Sequence, residues 1–128
     1  MMKMMAIMTG GGLGAAARYG LFMLVQRLTP ATFPFGTLAA NLLGSFAIGF
    51  LWSSFEGSRL GNEWRLFIFT GFLGGFTTFS TFARETTQLF KVGEWKTALA
   101  YLTVSNTLGI ALVVAGYLLA ERINLWPR

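Results

Sequence analysis

Three long runs without a charged residue constrain this chain more than any other feature of its sequence. No Lys, Arg, Asp or Glu occurs in residues 28–55, 66–83 or 97–120. A helix that crosses the hydrocarbon of a bilayer needs about 20 mostly apolar residues, and each run is close to that length or longer. Charged residues make up only 12% of the 128-residue chain, whereas an ordinary soluble domain has about a quarter. The chain therefore cannot cover its surface with charge, and we expect it to lie in a membrane.

A fourth apolar segment precedes these runs, and Arg18 is the one charge in its interior. The sequence predicts a single four-helix transmembrane domain over residues 1–128. Tryptophans are common where helices leave the bilayer, and Trp52, Trp64, Trp95 and Trp126 all fall near predicted ends. The four predicted spans are approximately Met5–Leu28, Pro34–Phe55, Trp64–Phe90 and Trp95–Arg122.

The centre of the third span favours helix less than the other spans do. Residues 71–82 read Gly-Phe-Leu-Gly-Gly-Phe-Thr-Thr-Phe-Ser-Thr-Phe, and adjacent glycines followed by adjacent threonines form helix poorly. Irregular backbone at membrane depth is tolerated only where protein buries it or where it lines a wet cavity. Composition leaves two alternatives equally open: a break in the helix, or a continuous helix whose glycines pack against a neighbour.

The positive charges give only a weak bias to the orientation of the chain. With four spans, both termini and the Glu56–Glu63 loop share one side, which has five basic residues against three or four on the other. Orientation normally follows a clear excess of positive charge on the cytoplasmic side. The chain could insert both ways and pair antiparallel, or the modest bias could suffice, and the count slightly favours the second. Two copies about a two-fold axis would create a pathway that four small helices lack.

Polar side chains within the spans are the first functional candidates. Arg18 is an embedded cation and would favour an anion, although its long side chain could instead reach the interface. Thr37 and Asn41 are four residues apart and share one face of the second span. They could line a path for an anion, or they could only form hydrogen bonds between helices.

Aromatic and hydroxyl side chains form a second group of candidates. Phe79 and Phe82 share a helical face, and their ring edges carry partial positive charge that would attract an anion weakly. Weak sites suit conduction because an ion held too tightly would not leave; with 13 Phe in the chain, plain packing is the alternative. Tyr101 and Ser105 share a face of the fourth span, although a hydroxyl there could simply bond to its own helix backbone.

Other classes of function are excluded by what the pattern lacks. The pI of about 10.3 could suggest nucleic acid, but the basic residues lie mostly at the ends of apolar runs and form no cluster. Residues 10–15 touch a dinucleotide-binding pattern without the strand and the acidic residue that it requires. The glutamates lie at or near the ends of the spans and no nucleophile–base pair is visible, so we do not expect an enzyme.

Three segments resemble the signatures of one family. Residues 71–82, followed by Glu85-Thr86, closely resemble the third-span signature of the Fluc (CrcB) fluoride channels. The second-span run Gly-Thr-Leu-Ala-Ala-Asn-Leu-Leu-Gly, residues 36–44, and the first-span run Gly-Ala-Ala-Ala-Arg-Tyr, residues 14–19, are also similar to the family. The resemblance implies a passive, fluoride-selective channel in the cell membrane that lowers cytoplasmic fluoride. It also implies a homodimer of antiparallel, dual-topology subunits with two pores.

The same resemblance implies roles for individual residues. Phe79 and Phe82 match the pore phenylalanines, and Asn41 matches an asparagine that forms hydrogen bonds along the pore. A structural sodium ion at the centre of the dimer would bind the backbone carbonyls of Gly74 and Thr77. The remaining matches are Arg18 near an aqueous vestibule and Thr37, Tyr101 and Ser105 on or near a polar pore track.

The resemblance is weakest in the fourth span. Some members of the family have a second hydroxyl residue one turn after the first, and that position is Gly109 here. We therefore expect a polar track that is shorter or that runs through Thr107. Two other functions remain open: a small multidrug-type transporter, which would use a glutamate where this first span has Arg18, and a subunit of a larger membrane complex that transports nothing by itself.

Overall fold

The computed structural model describes residues 1–123, which are almost entirely helical and contain no strand. The third helix, α3, comprises residues 62–76: it begins as the α-helical turn Asn62–Arg65, continues as the π-helix Leu66–Leu73, and ends with the α-helical turn Gly74–Phe76. Trp126 and Arg128, which entered the predictions above, lie outside the described residues. The other four helices are α1 (Met2–Leu28), α2 (Phe35–Phe55), α4 (Phe79–Lys91) and α5 (Trp95–Ile123).

These helices agree with the predicted spans to within a few residues at each end. Among residues 1–123, three segments are long and apolar enough to cross a membrane: Phe35–Phe55, Asn62–Lys91 and Trp95–Ile123. The first helix is of comparable length, 27 residues, but Arg18 and its five glycines make it less apolar. The second of the three segments contains α3 and α4 together, so two helices joined end to end form the predicted third span.

Glycine contacts hold the helices together in two pairs. In the first pair, α1 lies against α3, and a Cβ atom on Gly14 would overlap the Phe72 carbonyl oxygen. In the second pair, α2 lies against α5, and Cβ atoms on Gly49 and Gly116 would overlap the carbonyl oxygens of Val113 and Phe46. Small residues permit this approach of one backbone to another, which stabilises helix pairs in lipid.

The π-helix in α3 is a feature that composition and hydropathy do not predict. Residues Leu66–Leu73 have the wider turn of a π-helix, which usually occurs as a single turn and often next to functional sites. Here it lies against α1, where a Cβ on Gly71 would be 3.0 Å from the Gly10 Cα atom. The widened segment therefore carries close packing of α3 against α1, and only the turn Gly74–Phe76 separates it from the end of the helix.

Replacing Gly14 by alanine tests the contact between α1 and α3. We expect Gly14→Ala to lower the free energy of unfolding by about 1–3 kcal/mol, because the new methyl group overlaps backbone that cannot move aside. Gly12 is the matched control: it lies on the same helix, and a Cβ atom there would meet nothing within 4 Å, so Gly12→Ala should be neutral or stabilising by up to about 1 kcal/mol. Thermal unfolding in detergent measures both, and equal stability of the two variants would contradict the close approach.

Candidate functional site

The third span is broken at Thr77 and Thr78. Both residues are extended, with φ −87° and ψ 158° at Thr77 and φ −151° and ψ 118° at Thr78. The new helix α4 starts at Phe79, and its first turn is capped by the Thr78 hydroxyl, whose oxygen accepts a hydrogen bond from the Thr81 N–H at 3.2 Å. Of the two alternatives that composition left open, the structure has the break.

Asn41 on α2 supplies the hydrogen bonds that the broken backbone loses. The Thr78 N–H donates to the Asn41 Oδ1 atom at 2.7 Å, and the Asn41 Nδ2 atom donates to the Thr78 carbonyl at 2.9 Å. One side chain thus satisfies both backbone groups of Thr78. This matters at membrane depth, where each unsatisfied backbone group costs several kcal/mol.

Arg18 on α1 reaches the same break from the other side. Its Nη1 atom donates to the Thr77 carbonyl at 3.1 Å, so the guanidinium group points into the protein. A guanidinium has five N–H donors, and this bond uses one of them. Arg18 also lines a half-open cavity of about 260 Å³ between α1, α2 and α4, which we call the inner cavity. Its other polar lining residues are Tyr19, Thr37, Thr78, Thr81, Arg84 and Glu85.

Glu85 joins α2, α4 and α5 through two hydroxyl groups. The Thr37 hydroxyl donates to Oε1 and the Tyr101 hydroxyl donates to Oε2, each at 2.9 Å. Both hydroxyl residues are buried, and Thr37 and Asn41 do share the face of α2 that their spacing predicts. The sequence alone does not predict this role for Glu85, because the glutamates lie at or near the ends of the predicted spans. The position of Glu85 three residues after Phe82, hence on the same helical face, is the signal that could have found it.

The two candidate phenylalanines form a stepped aromatic contact. The Phe82 ring packs edge-on to Tyr101, with centroids 5.0 Å apart, and the Phe79 ring lies 5.7 Å from Phe82. Phe82 is 6% exposed, whereas Phe79 is 77% exposed. Phe79 faces a second half-open cavity, of about 320 Å³, together with Asn41 and Ser45. The pair therefore connects the buried hydroxyl cluster to an open surface.

Ser105 follows Tyr101 by one turn of α5, and its hydroxyl is buried. Within residues 1–123 this oxygen has no hydrogen-bond partner, although a helical serine often bonds to its own backbone. The neighbouring Thr103, Asn106 and Thr107 do bond to backbone carbonyls one turn back. The Ser105 hydroxyl thus keeps its hydrogen unpaired, whereas the hydroxyls of Thr103 and Thr107 donate to the backbone.

The position of Gly109 is met by a hydroxyl from another helix. A Cβ atom there would lie 3.6 Å from the Ser45 Oγ atom. Ser45 belongs to α2 and lines the cavity beside Phe79. Ser45 on α2 therefore places a hydroxyl group beside the position where the fourth span has Gly109.

The break also changes the bonding of the backbone carbonyl of Gly74. In a continuous α-helix this oxygen would accept from the Thr78 N–H, four residues on, but that N–H donates to Asn41. The carbonyl of Thr77 accepts from Arg18 and keeps a second lone pair. Among the described residues, no group of three or more His, Cys, Asp or Glu side chains could hold a metal ion.

The fold and this site define a multi-pass helical membrane protein with a polar interior. Residues 5–117 match the family described as CrcB-like protein, Camphor Resistance (CrcB), and the chain belongs to this family. The resemblance noted from the sequence is thereby confirmed, together with the location in the cell membrane.

Three relatives carry the name fluoride-specific ion channel FluC. The protein of Desulfotalea psychrophila is 45% identical over 124 residues, which cover 97% of this chain and 96% of that relative. The protein of Parabacteroides distasonis is 44% identical over 123 residues, with 96% of each chain covered. The protein of Paracoccus denitrificans is 50% identical over 107 residues, with 84% of this chain and 85% of the relative covered. Their name is that of an ion channel, in agreement with the expectation that the chain is not an enzyme.

Replacing Asn41 by leucine tests its role at the break. We expect Asn41→Leu to destabilise the protein by about 2–6 kcal/mol, because two buried backbone groups each lose a partner worth about 1–3 kcal/mol. The amide hydrogen of Thr78 should also exchange faster with solvent. The matched control is Asn106→Leu, since Asn106 is exposed and bonds only to its own helix. Thermal unfolding in detergent and hydrogen exchange measure the effects; slow exchange at Thr78 in Asn41→Leu would contradict the assignment.

Proposed function

We propose that this protein is a fluoride-selective channel through which fluoride leaves the cytoplasm passively, down its electrochemical gradient, so that the cell is protected from its toxicity. One observation carries the proposal. Arg18 and the hydrogen-bonded cluster Thr37–Glu85–Tyr101 meet at the inner cavity, and the rings of Phe82 and Phe79 continue from Tyr101 to the exposed surface. We call this set of residues the polar series. The name that the relatives bear supports fluoride as the ion.

The task of such a pathway is to replace the water around a small, strongly hydrated anion without trapping it. The unpartnered hydroxyl of Ser105 and the second N–H of the Asn41 amide are uncharged donors that suit this task. The ring edges of Phe79 and Phe82 add weak positive potential. The Thr37 and Tyr101 hydroxyls donate hydrogen bonds to Glu85. An ion that passes them would accept one of these hydrogen bonds in place of the carboxylate. A larger anion such as chloride fits donors at this spacing poorly.

We propose further that the channel is a homodimer of antiparallel subunits within membrane lipid. Phe79 is strongly exposed beside an open cavity although it belongs to the polar series. A second copy against this surface would enclose the ring and complete the pathway, and a two-fold axis would generate two such pathways. The bias in positive charge is weak enough to permit insertion in both orientations.

A structural sodium ion is part of the same proposal. The backbone carbonyls of Gly74 and Thr77 would hold it, and two antiparallel copies would supply four oxygens, the ligand type that hard cations prefer. This assignment is supported by the Thr78 N–H, which donates to Asn41 and so does not donate to the Gly74 carbonyl oxygen. Arg18 occupies one lone pair of the Thr77 oxygen, and its charge would weaken sodium binding. The ion would join the two subunits at their helix breaks.

Anion efflux from liposomes tests the proposed function. The purified protein is placed in vesicles loaded with potassium fluoride or potassium chloride, and valinomycin is added so that potassium can carry the balancing charge. We expect rapid loss of fluoride and none of chloride. Retention of both anions by vesicles that contain folded dimer would reject the channel and favour a subunit of a larger complex.

Substituting Phe79 tests the role of the ring edges in the same vesicles. We expect Phe79→Ile to slow fluoride efflux about threefold to tenfold, because an aromatic contact of this kind is worth about 0.5–1.5 kcal/mol. Phe90→Ile is the matched control, since Phe90 lies on the same helix α4, is half exposed and belongs to no part of the polar series. Equal fluoride efflux in Phe79→Ile and wild type would show that the ring is only a packing residue.

A further inference from the structure

Helices α2 and α5 run in the same direction and keep one register along their contact. A Cβ atom on Gly49 would overlap the Val113 backbone, and a Cβ atom on Gly109 would lie 3.6 Å from the Ser45 Oγ atom. The second contact precedes the first by four residues on both helices. Because side chains four residues apart share a helical face, matching turns of α2 and α5 face each other along the contact.

The same register holds where the two helices meet α4. Thr37 and Tyr101 lie about two turns before Ser45 and Gly109 on their helices, and their hydroxyls donate to the two oxygens of the Glu85 carboxylate, each at 2.9 Å. A further level lies between these two points of contact. The polar faces of α2 and α5 therefore share three successive levels: Thr37 with Tyr101, Asn41 with Ser105, and Ser45 with Gly109.

The third level has a single hydroxyl, and that hydroxyl is free. Ser45 has no hydrogen bond within residues 1–123. Ser54 on the same helix differs, because its hydroxyl donates to the Phe50 carbonyl at 2.7 Å. A hydroxyl side chain at position 109 would bring Ser45 a hydrogen-bond partner from α5, but glycine brings none. The donor of Ser45 is therefore available to a ligand.

Ser45 also lines the half-open cavity of about 320 Å³ beside Phe79. Asn41, one turn earlier on α2, lines the same cavity, and only one N–H of its amide donates to the Thr78 carbonyl. The residues that line this cavity are all uncharged. An anion at this level would thus meet hydrogen-bond donors without a full positive charge, and such weak sites let an ion leave again.

We propose that Ser45 is a further anion ligand of the pathway and supplies from α2 the hydroxyl donor that α5 lacks at Gly109. A partly dehydrated fluoride ion that leaves the level of Asn41 accepts a hydrogen bond from Ser45 before it reaches the open cavity. The polar path thus crosses from α5 to α2 and does not turn to Thr107, whose hydroxyl donates to its own helix backbone. The identification of the anion as fluoride rests on the proposed function.

Moving the hydroxyl from α2 to α5 tests this assignment by fluoride efflux from vesicles. We expect Ser45→Ala to slow efflux about tenfold, the effect of losing one hydrogen bond to a charged group. The double variant Ser45→Ala/Gly109→Ser returns a hydroxyl to the same level from α5, where a Cβ atom has room, and should recover most of the efflux. Ser53→Ala is the matched control: Ser53 belongs to α2 but lines neither this cavity nor the inner cavity, and its loss should leave efflux unchanged.

Fluoride binding gives a second readout that does not depend on conduction. We expect wild-type protein in detergent to broaden the fluorine NMR line of added potassium fluoride, Ser45→Ala to broaden it less, and Ser53→Ala to match wild type. If wild type conducts no fluoride but Ser45→Ala still weakens the broadening, the proposed function is rejected and Ser45 remains an anion ligand.

Three results would overturn the assignment of Ser45. The first is a Ser45→Ala variant that equals wild type in efflux or in broadening. The second is a deficit in efflux that Gly109→Ser leaves unchanged, which would give Ser45 a packing role. The third is efflux that Thr107→Ala slows more than Ser45→Ala does, which would route the path through Thr107. Size-exclusion profiles of every variant identify any that misfold.

Discussion

The hydrogen bonds that close the break at Thr77 and Thr78 are the interaction on which the rest of the structure depends. Hydrocarbon offers backbone groups no water, so an interrupted helix is stable only if other parts of the protein supply partners. Asn41 supplies both bonds to Thr78, and Arg18 supplies one to Thr77. These bonds hold α1 and α2 against the break. They also set the direction in which α4 leaves it, which brings Glu85 to Thr37 and Tyr101.

Two kinds of contact join the helices. Glycines bring α1 to α3 and α2 to α5 at backbone distance. Around α4 the contacts are instead made by hydroxyls, a carboxylate, a guanidinium group and aromatic rings, and the inner cavity adjoins this helix. The rigid pairs therefore form a frame, and the polar chemistry is concentrated on the short helix that follows the break.

The positions of the spans could be predicted from the sequence, because each follows from a local run of uncharged residues. The shared faces of Thr37 with Asn41 and of Phe79 with Phe82 followed from helical spacing in the same way. The break could not be decided from composition. The free-energy cost of placing glycine or threonine in a helix is smaller than the contribution of the hydrogen bonds that Asn41 makes from 37 residues away. The partner of Arg18 lies 59 residues away, and those of Glu85 lie 48 and 16 residues away. The π-helix has no local signature.

The break in the third span also has a consequence for biogenesis. Both side chains that satisfy it, Arg18 and Asn41, precede it in the chain, so the ribosome has already delivered α1 and α2 when Thr77 and Thr78 emerge. The irregular backbone can find its partners as soon as it enters the bilayer, without waiting for α5. Tyr101, by contrast, is synthesised after Glu85, so the carboxylate keeps one unfilled acceptor until the last helix arrives. The order of synthesis thus provides the partners of the break first and completes the polar cluster last.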